Sequence, residues 1–313
     1  MHRDQRAAGR TDAGIRQLSA TGRGRLAVVA AAFVFGSTFV IVQDAVEDLT
    51  PAAFLAFRFA VAAVVLVPLV SRDRPPPNPE PGAGGLPVAG VLSGAVLAAG
   101  YLFQTAGLQF TTATNSAFIT GLLVAFTPLL AAVFLHRPVT PTTLAGVVIA
   151  IGGLVALTGG LDSLGRGDVL TIGCAVAFAG HVIVLDVFSP RFGLLAYTAV
   201  QMAVVAVLCG LLVPFTGVGT FSVPAVSAVV FTGVVASAAA FWLQAYGQRY
   251  VGPSRTALLL LLEPVFAGLL GYVVGERLGV GGVIGALLIL AGTGVAEIGA
   301  MRSSGDEPEA TAA

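Results

Sequence analysis

Lysine is missing from this 313-residue chain: all 16 of its basic residues are arginine. Charge of either sign is scarce, with 10% of residues charged against 56% hydrophobic. Soluble domains carry about 25% charged residues, so a soluble fold of this size would have too little polar surface to face water. The formal net charge is zero, which removes the basic footprint of nucleic-acid binding, and no nucleic-acid partner is expected. There are only two cysteines, Cys174 and Cys209, both inside apolar runs at no metal-type spacing. Buried thiols act mostly as packing atoms. No Walker A loop, HExxH pair or tight Cys/His cluster occurs. Nothing therefore points to ATP hydrolysis, a metal or a cofactor.

What is present is a series of long apolar runs, at about 26–44, 52–70, 86–109, 113–135, 140–158, 168–187, 194–213, 223–248, 255–274 and 279–299. Polar and proline-rich breaks separate them, such as Asp44 to Pro51 and Arg72 to Pro81. A bilayer-spanning helix needs about 20 apolar residues. Only helices and closed barrels satisfy their backbones in lipid, and these runs are too long and too evenly apolar for barrel strands. The expected fold is all-α, with ten transmembrane helices in a lipid bilayer. Arginine placement sets the orientation. Arg23, Arg25, Arg72, Arg74, Arg137, Arg191, Arg249, Arg255 and Arg302 fall on one side. Arg166 and Arg277 fall on the other, beside Asp44, Glu47, Asp48, Asp162 and Asp168. The first side is expected to be cytoplasmic, with both termini on it. Residues 1–25 read as a disordered cytoplasmic tail, because no short apolar core with a cleavage site follows them. Residues 300–313 read as an acidic cytoplasmic tail.

The chain also repeats itself. Shifted by 140, Gln104 falls on Gln244, Gly107 on Gly247, Arg137 on Arg277 and Gly152 on Gly292. Near the start of each half the shift is 143, so that Val40 meets Ile183 and Arg58 meets Gln201. Residues 26–158 and 168–299 are thus read as homologous five-helix units, joined by an external linker at 159–167. Five is odd, so the second unit must enter the membrane the other way up. Inverted repeats of this kind are typical of secondary transporters.

The motifs resemble a known family. Phe35-Gly36-Ser37-Thr38-Phe39 opens the first helix, with Phe35 where the family has tryptophan. Ala56-Phe57-Arg58-Phe59 lies in the second. Leu262-Glu263-Pro264-Val265-Phe266 and Gly275-Glu276-Arg277-Leu278 lie along and after the ninth. In order and spacing these resemble the EamA family of the drug/metabolite transporter superfamily, from Arg25 to Ala300. The resemblance implies ten helices, a central cavity lined mainly by helices 1, 3, 4, 6, 8 and 9, and movement of a small-molecule solute. Pro128 lies one turn later than Pro264 in the repeat, so the two proline kinks are not expected to be equivalent.

Ionisable residues inside a membrane are costly and draw attention as functional sites. Glu263 falls about 15 Å into the ninth helix, near the midplane. Its repeat partner is Leu123, so the repeat alone does not require an acid there. It is the candidate coupling residue for protons, or else a structural carboxylate. His181, opposite Thr38 in the repeat, is either a hydrogen-bonded structural residue or a solute or proton contact. Arg58, about two turns below the outer surface, is read as structural, snorkelling outward or pairing with Asp44, Glu47 or Asp48. Ser37, Thr38, Tyr101, Gln104, Asn115, Thr120, Trp242, Gln244 and Tyr246 lie on the family's cavity helices. As a set they suit a cavity with aromatic walls and a few hydrogen-bonding groups. Each is equally readable as interhelical glue, and Trp242 and Tyr101 as interface anchors. Gly271-x-x-x-Gly275 and Gly281-x-x-x-Gly285 permit close packing, either internally or in a homodimer.

The function these observations imply is secondary transport of a small organic metabolite, amino-acid-like or amphipathic, across the inner membrane by alternating access, with proton coupling through Glu263. An uncoupled facilitator or exchanger is the alternative. An intramembrane hydrolase would need a nucleophile held by a base, and a hydrogen bond from Ser37 to His181 would revive that reading.

Overall fold

A computed structural model describes residues 20–73, 85–136, 138–160, 163–251 and 253–305, without the side chains of 253–255, 297 and 300–305. Most of both tails, part of the 159–167 linker and most of the proline-rich break after Arg72 lie outside the described residues.

Ten helical segments follow one another. They are α1 (Ala20–Asp48), α2 (Pro51–Arg72), α3 (Leu86–Gly107), α4 (Ala113–Leu135), α5 (Pro141–Thr158), α6 (Arg166–Arg191), α7 (Leu194–Thr216), α8 (Val223–Val251), α9 (Thr256–Val273) and α10 (Val280–Gly305). The first nine are long and apolar enough to cross a membrane, and α10 adds a slightly shorter apolar stretch, Val280–Ala296. Among the described residues there is no strand, only one isolated bridge between Leu49 and Gly219. The chain is an all-α, multi-pass membrane protein. Helix α1 begins at Ala20 rather than near residue 26. The helical hydrogen-bond pattern needs no lipid, so it continues through Arg23 and Arg25 beyond the apolar run.

Helix starts follow local chemistry. Thr50, Thr112, Thr140 and Ser222 are N-caps whose hydroxyls accept from the backbone N–H three residues on, at 3.1 to 3.3 Å. Pro51 and Pro141 stand at the first helical position, where a missing N–H costs nothing. Helix α9 ends in a left-handed turn at Gly275, with φ of 103°. Glu276 N–H then donates back to Gly271 at 2.9 Å and Gly275 N–H to Tyr272 at 3.2 Å. That turn sends the Glu276 carboxylate to the start of α4, where it accepts from Ala113 N–H at 3.0 Å and Thr114 N–H at 2.9 Å.

The helix contacts map onto themselves when each helix is exchanged with the one five places along. The α3–α6 contact becomes α8–α1, and α4–α6 becomes α9–α1, while α2–α7, α4–α9 and α5–α10 map onto themselves. Glycines set the closest approaches. A Cβ on Gly107 would stand 3.0 Å from the Gly167 carbonyl, and one on Gly247 2.6 Å from the Gly24 carbonyl. Gly107 and Gly247, like Gly24 and Gly167, are equivalent in the sequence repeat. Between α5 and α10, Cβ atoms on Gly146, Gly153, Gly285 and Gly292 would all fall within 2.6 Å of backbone nitrogens across the interface. Gly285 is thus occupied inside the molecule. Gly271 meets Thr114 of α4, and Gly275 serves the turn.

Both α4 and α9 are interrupted, and at equivalent places: α4 at Gly121–Leu122, between Ala113–Thr120 and Leu123–Leu135, and α9 at Leu261. The sequence repeat places Gly121 on Leu261. The two prolines are not equivalent, as their offset implied, although the two breaks are. Pro128 lies inside the continuous second part of α4. At both breaks the backbone tightens to an i→i−3 bond, Leu122 to Ile119 at 3.1 Å and Leu261 to Leu258 at 3.2 Å. In α9 the cause is local, since Pro264 cannot donate to Leu260. In α4 the break holds a glycine that faces this proline: a Cβ on Gly121 would be 3.3 Å from Pro264 Cγ.

Candidate functional site

The two broken helices flank a central cavity. Its lining residues are Phe35, Thr38 and Phe39 of α1, Leu97, Tyr101 and Gln104 of α3, and Leu123 of α4. The second half contributes Phe178, His181 and Val182 of α6, Phe241 and Gln244 of α8, and Leu260 and Glu263 of α9. Most of these form repeat-equivalent pairs: Phe35 with Phe178, Thr38 with His181, Phe39 with Val182, Tyr101 with Phe241, Gln104 with Gln244, and Leu123 with Glu263. The aromatic pairs also make equivalent contacts. Phe35 lies 5.0 Å from Phe241 between ring centroids, and Phe178 lies 5.1 Å from Tyr101. Tyr101 and Phe241 face each other at 6.0 Å. The cavity holds about 40 Å³ of free volume, room for a few waters at most. One turn further along α1 and α3, a second hollow of about 770 Å³ contains Gln43, Glu47, Leu108 and Asn115 in its walls.

Six of the polar residues picked out in the sequence meet at the central cavity: Thr38, Tyr101, Gln104, His181, Gln244 and Glu263. Five do not line it. Ser37 turns its hydroxyl to the Val34 carbonyl at 2.7 Å. Thr120 sits one layer back and accepts from Gln104 Nε2 at 3.3 Å. Asn115 lies in the larger hollow. Trp242 stacks on Tyr246 at 5.4 Å, beside the separate apolar cluster around Tyr197 and Leu185. The helical period explains the split, because Gln244 and its near neighbours Trp242 and Tyr246 cannot share one face.

The carboxylate of Glu263 is buried and has neither a hydrogen-bond nor an ion-pair partner among the described residues. A Cβ on Gly36 would lie 2.5 Å from the Glu263 carbonyl, so glycine there lets α1 touch the α9 backbone beside the carboxylate. His181 is 2.8 Å from Gln201 Oε1 through Nε2. Gln201 Nε2 faces the Tyr197 carbonyl at 3.4 Å, so Gln201 accepts from the ring. His181 therefore donates from Nε2. Ser37 and His181 are thus each engaged elsewhere and do not form the pair that a hydrolase would need. Of the aromatic walls, Tyr101 is among the residues picked out in the sequence, whereas Phe35, Phe39, Phe178 and Phe241 are not among its cavity candidates. The signal that could have found them is the repeat, which pairs Phe35 with Phe178 and Tyr101 with Phe241.

Arg58 is the largest departure from expectation. It neither snorkels nor meets Asp44, Glu47 or Asp48. It is fully buried, 1% exposed, with Nε donating to Ser237 at 2.8 Å and Nη2 to the Tyr101 hydroxyl at 3.3 Å. The acids are held at the helix ends, where Asp48 accepts from the Ser222 hydroxyl and Glu47 lines the larger hollow.

The model of the EamA-like transporter family matches the chain twice, over residues 22–159 and 165–296. The chain belongs to that family. Curated relatives agree in length and class. An uncharacterized transporter of Archaeoglobus fulgidus is 28% identical over 271 residues, covering 85% of this chain and 82% of its own. The uncharacterized transporter YwfM of Bacillus subtilis is 28% identical over 281 residues, covering 85% and 91%. A solved crystal structure superposes with a TM-score of 0.65 over 91% of this chain and 98% of its own at 18% identity, a likeness of fold alone. The protein is a membrane transporter and not an enzyme.

Proposed function

We propose that this EamA-family protein is a secondary transporter that carries a small organic solute, amino-acid-like or amphipathic, across the inner membrane by alternating access. The observation that carries the reading is the makeup of the central cavity. Its walls are repeat-equivalent pairs from both halves, and its single carboxylate, Glu263, stands where the other half has Leu123. In this reading residues 26–158 and 168–299 are inverted repeats about an axis in the membrane plane, and exchange of their conformations opens the cavity to one side and then the other. A free volume of about 40 Å³ is too small for a metabolite, which supports a closed form whose halves must part to admit solute. Arginine placement supports cytoplasmic termini. Reporter fusions at 80 and 305 are expected to read cytoplasmic and one at 164 external, and an external signal at 305 would remove the ten-helix orientation.

Glu263 couples flux to protons in this reading, because its carboxylate has no partner among the described residues to hold one charge state through the cycle. The test is solute uptake into proteoliposomes with and without an imposed pH gradient. Wild type is expected to respond to the gradient. Glu263→Gln, which keeps the shape, is expected to fold and bind solute yet lose the response. An equal response in the variant removes Glu263 as the coupling site. A wild type that ignores the gradient replaces coupling with facilitation or exchange.

A further inference from the structure

Three features of the second layer behind the cavity are not demanded by the repeat, and they converge on one side chain. Arg58 stands where the other half has Gln201, and Ser237 stands where it has Leu97. Ser237 also lies in a π-helical stretch of α8, Thr232–Ala239, whose equivalent in α3 is regular α-helix. A π-turn inserts one residue and re-aims the side chains around it, commonly at functional sites. Here it directs Ser237 to Arg58 Nε and brings Gly233 against the Arg58 backbone, where a Cβ would be 2.8 Å from the carbonyl. A guanidinium buried within a membrane span is costly, and among the described residues no carboxylate pairs with this one.

The guanidinium ends on Tyr101. It lies over the ring at 4.7 Å from the centroid while Nη2 donates to the hydroxyl at 3.3 Å. Phe59 and Phe178 brace the ring at 5.0 and 5.1 Å. Arginine has donors only, so the phenol oxygen must accept from it. The phenol's own proton has no acceptor among the described residues, although Tyr101 is only 5% exposed and lines the cavity. A buried donor without a partner is unfavourable unless something else accepts from it.

We propose that Arg58 is a positioning residue for solute specificity: through its bond to the Tyr101 oxygen it leaves that hydroxyl as an obligate donor to the cavity, which selects a solute bearing a carboxylate or carbonyl oxygen at that end. This rests on the transport reading and deepens it. The cavity then offers both a donor, at Tyr101, and an acceptor, at Glu263. The guanidinium need not touch the solute, because its charge polarises the phenol through their hydrogen bond in a low-dielectric interior.

The test is titration calorimetry on the full chain in nanodiscs with two probes that differ only at the acceptor, L-phenylalanine and phenethylamine, the second lacking the carboxylate. Wild type is expected to bind L-phenylalanine about tenfold more tightly, the size of one hydrogen bond to a charged group. Tyr101→Phe is expected to abolish the preference by weakening L-phenylalanine alone. Arg58→Gln is expected to do the same. Arg58→Lys, which keeps the charge but cannot span Ser237 and the phenol together, is the second variant should Arg58→Gln not fold, and is expected to lower the preference. A role in packing alone would weaken both probes equally and lower the thermal transition, and that result overturns the proposal. So does a wild type that binds neither probe, binds both equally or prefers phenethylamine, and so do folded Arg58 variants that retain the preference. If the preference behaves as expected but proteoliposomes take up neither probe, the transport reading fails and the specificity assignment stands.

Discussion

Around the cavity, Phe35 and Phe178 hold the same place in the two halves, as do Gln104 and Gln244, and the phenylalanines also keep their ring contacts. At four neighbouring positions the halves part company: Thr38 against His181, Phe39 against Val182, Leu123 against Glu263, and Tyr101 against Phe241. The glycine crossings agree, Gly24 on Gly247 and Gly107 on Gly167. Helix packing constrains backbone approach and ring volume on both sides of a repeat alike. Nothing in packing asks for a carboxylate on one side alone. In the transport reading proposed above, the difference separates what the repeat maintains as scaffold from what the cavity would use as chemistry.

The comparison breaks most sharply at a glycine pair whose environments differ. Gly152 and Gly292 are repeat-equivalent, yet a Cβ on Gly152 meets nothing within 4 Å, while one on Gly292 stands 2.4 Å from Ala150 N. Gly292→Leu is expected to force α5 and α10 apart at a cost of ~3 kcal/mol or more. Gly152→Leu is expected to leave the thermal transition near wild type. Equal losses in melting experiments would mean that the α5–α10 contact is not what orders these helices.

A second experiment moves the chemistry across the repeat. In a Leu123→Glu, Glu263→Leu double variant the carboxylate reaches the equivalent wall from the other half. The gradient response lost in Glu263→Leu alone is expected to return in part. Its complete absence, in a double variant that still binds solute, would show that the two walls are not interchangeable.

The smallest effect is expected at the helix ends. Glu276 caps α4 through two backbone N–H groups, whereas His136, its repeat equivalent, takes the left-handed position that ends α4, with φ of 53°. Glu276→Gln weakens a charge-assisted cap and is expected to cost ~1 kcal/mol. His136→Asn keeps a residue that tolerates a left-handed backbone and is expected to change stability less. Denaturation of the two variants side by side orders them.

Apolar length, breaks and a register shift made the helices, their number and the repeat legible before any coordinates, because lipid demands long apolar helices whatever their neighbours. Glu263 was legible as an acid in an apolar run. The choice among Thr38, Asn115, Trp242 and Tyr246 was not, since which helix face looks inward depends on neighbours remote in sequence. Arg58 shows the limit most clearly. From its depth alone an outward path to Asp44, Glu47 or Asp48 was as reasonable as an inward one. The inward path exists because a π-turn some 180 residues away brings Ser237 to it, as the separation between that pair reflects. Likewise the break in α4 falls at Gly121, a glycine that faces Pro264 of α9, which no local proline signals. By itself the sequence determined what depends on solvent and spacing: membrane residence, helix count, the repeat and the isolated acid. Tertiary structure alone decided which side chains share the cavity and which polar atoms are left without partners, because burial and hydrogen bonding are set by contacts between helices and not along them.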